Sequence, residues 1–249
     1  LLRAIRRRVK PLVVRRNVIR ATLSWALMLW LASPAAATTW VDGEADDPFS
    51  DGKCHTPRVN SYGGYVYAWP SKYDIVYWPF IDANWLWYCP KSGYASFGND
   101  FGELSETEHE AVTALLSERY EGGIGEWNFR RRLLWAEEIY RARDTDLRFW
   151  SWFYRLLAYL HGDDAKESEK YVRKALPLLQ RQLESLKAGI EIPTVLYLLG
   201  EYHRRLGKTD AARGYFDKAK SWSGKDEGSD KANLVYLKEI IAERQALLK

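Results

Sequence analysis

The sequence predicts a mainly α chain, an array of about seven helices preceded by a small aromatic-rich β head. Three observations predict it. Capping residues and helix breakers divide residues 105–249 into segments with apolar residues at helical spacing. Residues 54–104 lack that period and are crowded with Tyr, Trp, Pro and Gly. In the tail, small residues recur at the spacing of a helix pair that stacks on its neighbours.

Taken in order, residues 1–37 read as an export signal. Basic residues precede the apolar run Ala21 to Ala32, Pro34 breaks the helix, and Ala35-Ala36-Ala37 offers small residues for cleavage. The run is shorter than the roughly 20 residues a bilayer span requires, so membrane attachment is expected only if this segment stays uncleaved. Residues 38–53 are polar and turn-rich and read as a linker. In the head, 54–104, Tyr65 to Trp69 and Trp85 to Cys89 fit short strands, because aromatic side chains suit a pleated surface.

The helical domain, 105–249, opens on Ser105-Glu106-Thr107-Glu108, a capping box, and Gly122-Gly123 ends its first helix. A second helix is expected over about 126–142 and a third over 147–160. The fourth, about 165–187, contains Pro177, which is expected to kink or divide it. Pro193 suits the first turn of the fifth. Gly207-Lys208-Thr209 reads as the turn into the sixth, and Asp230 to Lys249 as a final helix with a solvated outer face.

Leu199-Gly200, Gly207, Ala212, Phe216 and Ala219 have the spacing of a tetratricopeptide repeat, a helix pair that cannot bury its apolar face alone. A degraded copy runs from Trp152 to Ala175, with Leu156 where glycine is expected. Such arrays present a hollow lined by the first helix of each pair. Phe153 and Leu157 in the poorer copy, and Tyr197, Glu201, Arg204 and Arg205 in the better one, are expected to face it, with the two arginines gripping a partner's carboxylate.

Charge argues against nucleic acid. The chain is formally +4, but eight basic residues and no acid lie before residue 38, and the remainder carries 29 basic against 33 acidic residues. The sequence contains no nucleotide, zinc-protease or serine-hydrolase motif and points to no cofactor.

Cys89-Pro90-Lys91-Ser92-Gly93-Tyr94-Ala95 looks like half of a zinc ribbon with Ser92 in place of the second cysteine. Asp51-Gly52-Lys53-Cys54 reads as the partner knuckle, with Asp51 in place of its first. On these residues, with Asn99-Asp100-Phe101 and the repeat, the chain resembles an uncharacterised bacterial family defined only as a domain of unknown function. That family pairs two Cys-Pro-x-Cys knuckles with a tetratricopeptide-like tail, and the resemblance spans about 51–222. If the ribbon scaffold persists, the sulfurs of Cys54 and Cys89 lie close together. Four ligands for structural zinc are no longer present. The expectation is a Cys54–Cys89 disulfide in place of the metal, with residual zinc and two free thiols as alternatives.

The function expected is that of a periplasmic or secreted scaffold or adaptor that binds a protein or peptide in the helical groove. The first alternative is an envelope glycan-binding module using an aromatic platform of Tyr65, Tyr67, Trp69, Trp78, Trp85 and Trp87. The second is an enzyme with no recognisable signature.

Overall fold

The structure, a computed structural model, describes residues 38–62, 82–223 and 229–248, with the backbone alone for 38, 62 and 229–233. The export-signal segment 1–37, and Tyr65, Tyr67, Trp69 and Trp78 of the expected platform, lie outside the described residues. The chain divides into two compact units. The described part of the smaller is Thr38–Thr39 with Asn60–Tyr62, where the Thr39 and Ser61 hydroxyls hydrogen-bond at 2.6 Å. The larger unit holds Trp40–Val59 and every described residue from 82 onward.

Six short strands form two sheets among the described residues. β1 (Thr38–Val41) pairs with β4 (Arg58–Tyr62). The second sheet is antiparallel, in the order β2 (Glu44–Asp46), β3 (Lys53–His55), β5 (Leu86–Tyr88), β6 (Ala95–Phe97). The stretch 38–53 is therefore no linker: β1 and β2 lie within it, and Ala45 pairs with Cys54 across β2 and β3. Its polarity misled because β2 is an edge strand with only its central residue half-buried.

β6 is buried at all three positions and joins sheet to helices. The Phe97 ring lies 5.7 Å from Tyr140 and 5.0 Å from Trp152, and its amide donates to the Tyr140 hydroxyl at 2.8 Å.

Seven α-helices follow among the described residues. α1 (Glu106–Arg119) has the expected capping box, with Glu108 N donating to Ser105 Oγ and Ser105 N to Glu108 Oε2. Tyr120 leaves helical geometry, and Gly122 and Gly123 take positive φ. α2 (Phe129–Arg141) starts three residues later than expected because the Asn128 side chain caps it. α3 (Leu147–Leu160) and α4 (Ala165–Ser185) are capped by Asp146 and Asp164. α4 runs unbroken through Pro177. α5 (Glu191–Arg205), α6 (Thr209–Ser221) and α7 (Ser229–Ala246) complete the array.

α3 packs on α4, α4 on α5 and α5 on α6, while α7 lies against both α5 and α6. α2 serves two cores. Its Leu133, Ala136 and Tyr140 join the large helical core, and its Ile139 joins a smaller one around Cys54, Cys89, Tyr94 and Val112.

The repeat positions pack as their sizes require. A Cβ added at Gly200 would come within 2.6 Å of the Phe216 ring, so the glycine is what lets α6 approach α5. Phe216, Ala212 and Ala219 are fully buried. Gly200→Ala should force the ring aside and cost about 1–3 kcal/mol, with a matching fall in the urea midpoint. Gly207→Ala, at φ +70 in open space, should cost only about 1–2 kcal/mol through backbone strain.

Candidate functional site

Two neighbouring hollows lie within the larger unit. The first, of about 470 Å³, is walled by Trp85, Phe97, Phe149 and Trp152, with Asn99 and Asp100 as its polar groups. Trp85 comes from the short 3-10 turn Ala83–Trp85, keeps 36% of its surface exposed, and stands edge-on to Trp40 at 5.3 Å. Phe149 and Trp152 come from the first turns of α3 and Phe97 from β6, so rigid elements hold three of the four rings. The second hollow, about 230 Å³, lies between α3 and α5 with the end of α4 behind. Leu179, Val195 and Leu198 line it apolarly, and the exposed Arg148–Glu191 ion pair (3.0 Å) stands on its rim. Trp152 lines both hollows.

Asp100 is the electrostatic centre of the first hollow. Tyr140 Oη donates to both of its carboxylate oxygens, at 2.8 and 3.0 Å. Behind it the buried Arg143 guanidinium lies 3.6 Å from Asp100 and 3.5 Å from Glu108, and donates to the carbonyls of Asp100 and Glu103. Burial raises the Asp100 carboxyl above its ordinary range, against the pull of Arg143 and the Tyr140 hydrogen bond. Burial also holds the Tyr140 phenol well above its usual value, so it is neutral and keeps its proton for Asp100.

The expected groove residues are not where the repeat pattern put them. Phe153, Leu157, Tyr197 and Glu201 are completely buried. Phe153 packs on Phe97, Tyr140 and Phe149, and Tyr197 on Phe216. Arg204 and Arg205 turn inward to Glu201 on their own helix: Arg204 donates to it at 2.5 and 2.6 Å, and Arg205 lies 3.8 Å away. Arg204 thus clamps an internal carboxylate, while Arg205 stays exposed beside it. The helix faces that line the hollow carry Arg148, Ser151, Trp152 and Arg155 on α3, and Glu191, Thr194, Val195 and Leu198 on α5. At about 100° per residue the α3 positions lie on a different face from Phe153 and Leu157, whereas on α5 Arg205 falls on the side of Thr194 and Leu198 and Tyr197 lies about 60° or more round from them.

Of the expected platform, Trp85 and Trp87 are described. Trp87 is structural, its indole donating to Pro57 O at 3.2 Å and its ring packing on Phe101 at 5.4 Å. Trp85 keeps an open face.

Cys54 and Cys89 form the expected disulfide, 35 positions apart and buried. Closing a loop of that length contributes about 3–4 kcal/mol by chain entropy. The partner knuckle lies elsewhere than expected. Asp51 is exposed and ion-paired with Lys91, whereas the turn that mirrors Cys89-Pro90-Lys91-Ser92 is Asp47-Pro48-Phe49-Ser50.

The two turns share their hydrogen bonds. Asp47 N donates to Gly52 O and Cys89 N to Tyr94 O, while Gly52 N donates to Ser50 Oγ and Tyr94 N to Ser92 Oγ. The Asp47 carboxylate accepts from Phe49 N (2.9 Å), Ser50 Oγ (2.6 Å) and Ser92 N (3.3 Å). The repeated acid-or-Cys, Pro, x, Ser order was the signal that could have located this turn. His109 joins head to helix here, its Nε2 lying 3.0 Å from Pro48 O and its ring stacking on Phe49 at 4.5 Å.

A raised Asp100 value means that folding favours its protonated form. Its contribution to stability is full below the unfolded value and is lost as pH rises through the folded one. NMR titration of the Asp100 carboxyl carbon should give a midpoint above about 3.9, and Arg143→Ala should move it higher.

No helix among the described residues is long and apolar enough to cross a membrane. No curated protein and no solved structure matches the chain. Residues 145–245, spanning α3 to α7, match the family model described as an uncharacterized protein conserved in bacteria, DUF2225.

Proposed function

We propose that this protein is an exported binding scaffold that receives a segment of another protein along its two neighbouring hollows, anchoring a basic side chain of that segment in the aromatic pocket. The observation that carries the reading is Trp152, which lines both hollows and so places an aromatic side-chain pocket beside the hollow between α3 and α5. Aromatic rings attract a cation, by roughly 0.5–2 kcal/mol, and four of them wall this pocket. Asp100 supplies the counter-charge. A carboxyl raised by burial gains from a cation that replaces the water it has lost. The buried disulfide and the export-signal pattern support an oxidising compartment outside the cytoplasm.

A glycan reading shares the same pocket, because Trp85 offers an open ring face and Asn99 and Asp100 offer hydrogen-bonding groups to a sugar. NMR of the Trp85 and Trp152 indole N–H signals separates the two. Short lysine- or arginine-containing peptides should shift both signals, while neutral and acidic peptides should not. Trp85→Ala should weaken basic-peptide binding by about tenfold or more, and Asp100→Asn should erase the preference for basic over neutral peptides. Shifts with peptidoglycan fragments and none with peptides would establish the glycan reading instead. Silence to both would remove the pocket as a binding site.

A further inference from the structure

We propose that Asp47, Cys54 and Cys89 form a binding site for a thiophilic divalent cation, zinc foremost, that exists only while the disulfide is reduced. The carboxylate oxygen and the two sulfurs lie within 4.8 Å of one another, and all three residues are buried. Each sits on an element held independently of the S–S bond. Cys54 is on β3, paired through Ala45, and Cys89 and Asp47 open two turns fixed by their own backbone hydrogen bonds. Breaking the S–S bond therefore leaves the three ligands facing one another.

In the oxidised head the site is complete without metal, since Asp47 has three donors and each sulfur has the other. A dithiol reductant transfers two electrons and two protons, giving two thiols and its own cyclic disulfide. Binding Zn²⁺ then expels the two thiol protons and leaves two thiolates and a carboxylate around the ion. Without a cation those three negative groups would be buried side by side, so deprotonation and metal binding are coupled and affinity rises with pH. Thiolate ligands select zinc over calcium or magnesium. Three protein ligands leave one corner of a tetrahedron to water or to a neighbouring oxygen; Ser50 Oγ already touches Asp47. The head would thus have two interchangeable staples, a covalent one under oxidising conditions and a metal under reducing ones. This inference is independent of the pocket reading.

The test refolds the full chain anaerobically with dithiothreitol and Zn²⁺ and measures bound zinc by native mass spectrometry. One zinc per reduced chain, none on the oxidised chain, and protection of Cys54 and Cys89 from alkylation by the metal are expected. Asp47→Asn should weaken zinc binding by more than about tenfold. Asp47→Cys should tighten it, which keeps the test decisive if the Asn variant does not fold. A reduced chain that retains no zinc, or zinc binding indifferent to both substitutions, would overturn the proposal.

Discussion

The hydroxyl of Tyr140 is a fully buried tie between the head and the helical array. It accepts from the backbone of Phe97 on β6, and donates to Asp100 in the loop beyond. The buried Phe97 amide has no water as an alternative, so losing the hydroxyl would leave that donor unmatched, at about 1–3 kcal/mol, while Asp100, partly exposed, keeps Arg143 beside it. Three consequences meet there. β6 is held against α2, Phe97 is pressed into the helical core, and Asp100 is aimed at the aromatic pocket. The low dielectric that raises the tyrosine's pKa also keeps this hydrogen bond strong.

Much of the helical tail was legible in the sequence because caps and breakers act locally. Ser105, Gly122-Gly123 and Gly207 act within one or two turns, and the Gly200–Phe216 contact follows from the repeat spacing across one helix pair. Which face of α3 and α5 meets the hollow was not legible, since that depends on where α2 and α7 come to lie. α7 packs on α5, and Tyr197 and Glu201 become interior residues. In the head, the disulfide was legible through the resemblance, but the position of the second turn was not. Cys54 drew attention to Asp51, whereas the sheet places Cys54 on a strand and gives the turn to Asp47.

The two turns show how a scaffold can outlast the ligand set its pattern suggests. What defines them is backbone hydrogen bonding, with a serine hydroxyl accepting from the amide two residues on, and that role needs only an acceptor atom. Ser50 and Ser92 fill it. The Asp47–Ser92 contact joins the two turns and the S–S bond ties β3 to the second, while the exposed Asp51–Lys91 pair adds little in water.

Glu201 decides how much surface the array can offer a partner. A fully buried carboxylate is costly unless charges answer it, and two arginines of the same helix are drawn in to do so. Arg204 is thereby drawn partly out of solvent, while Arg205 stays exposed. With α7 closing one side of α5, the open hollow extends over little more than the facing sides of α3 and α5. A hollow of about 230 Å³ is too small to hold an extended segment by backbone contact alone, so affinity has to come from a side chain seated deeply nearby. The aromatic pocket beside Trp152 has the volume and the charge to provide it.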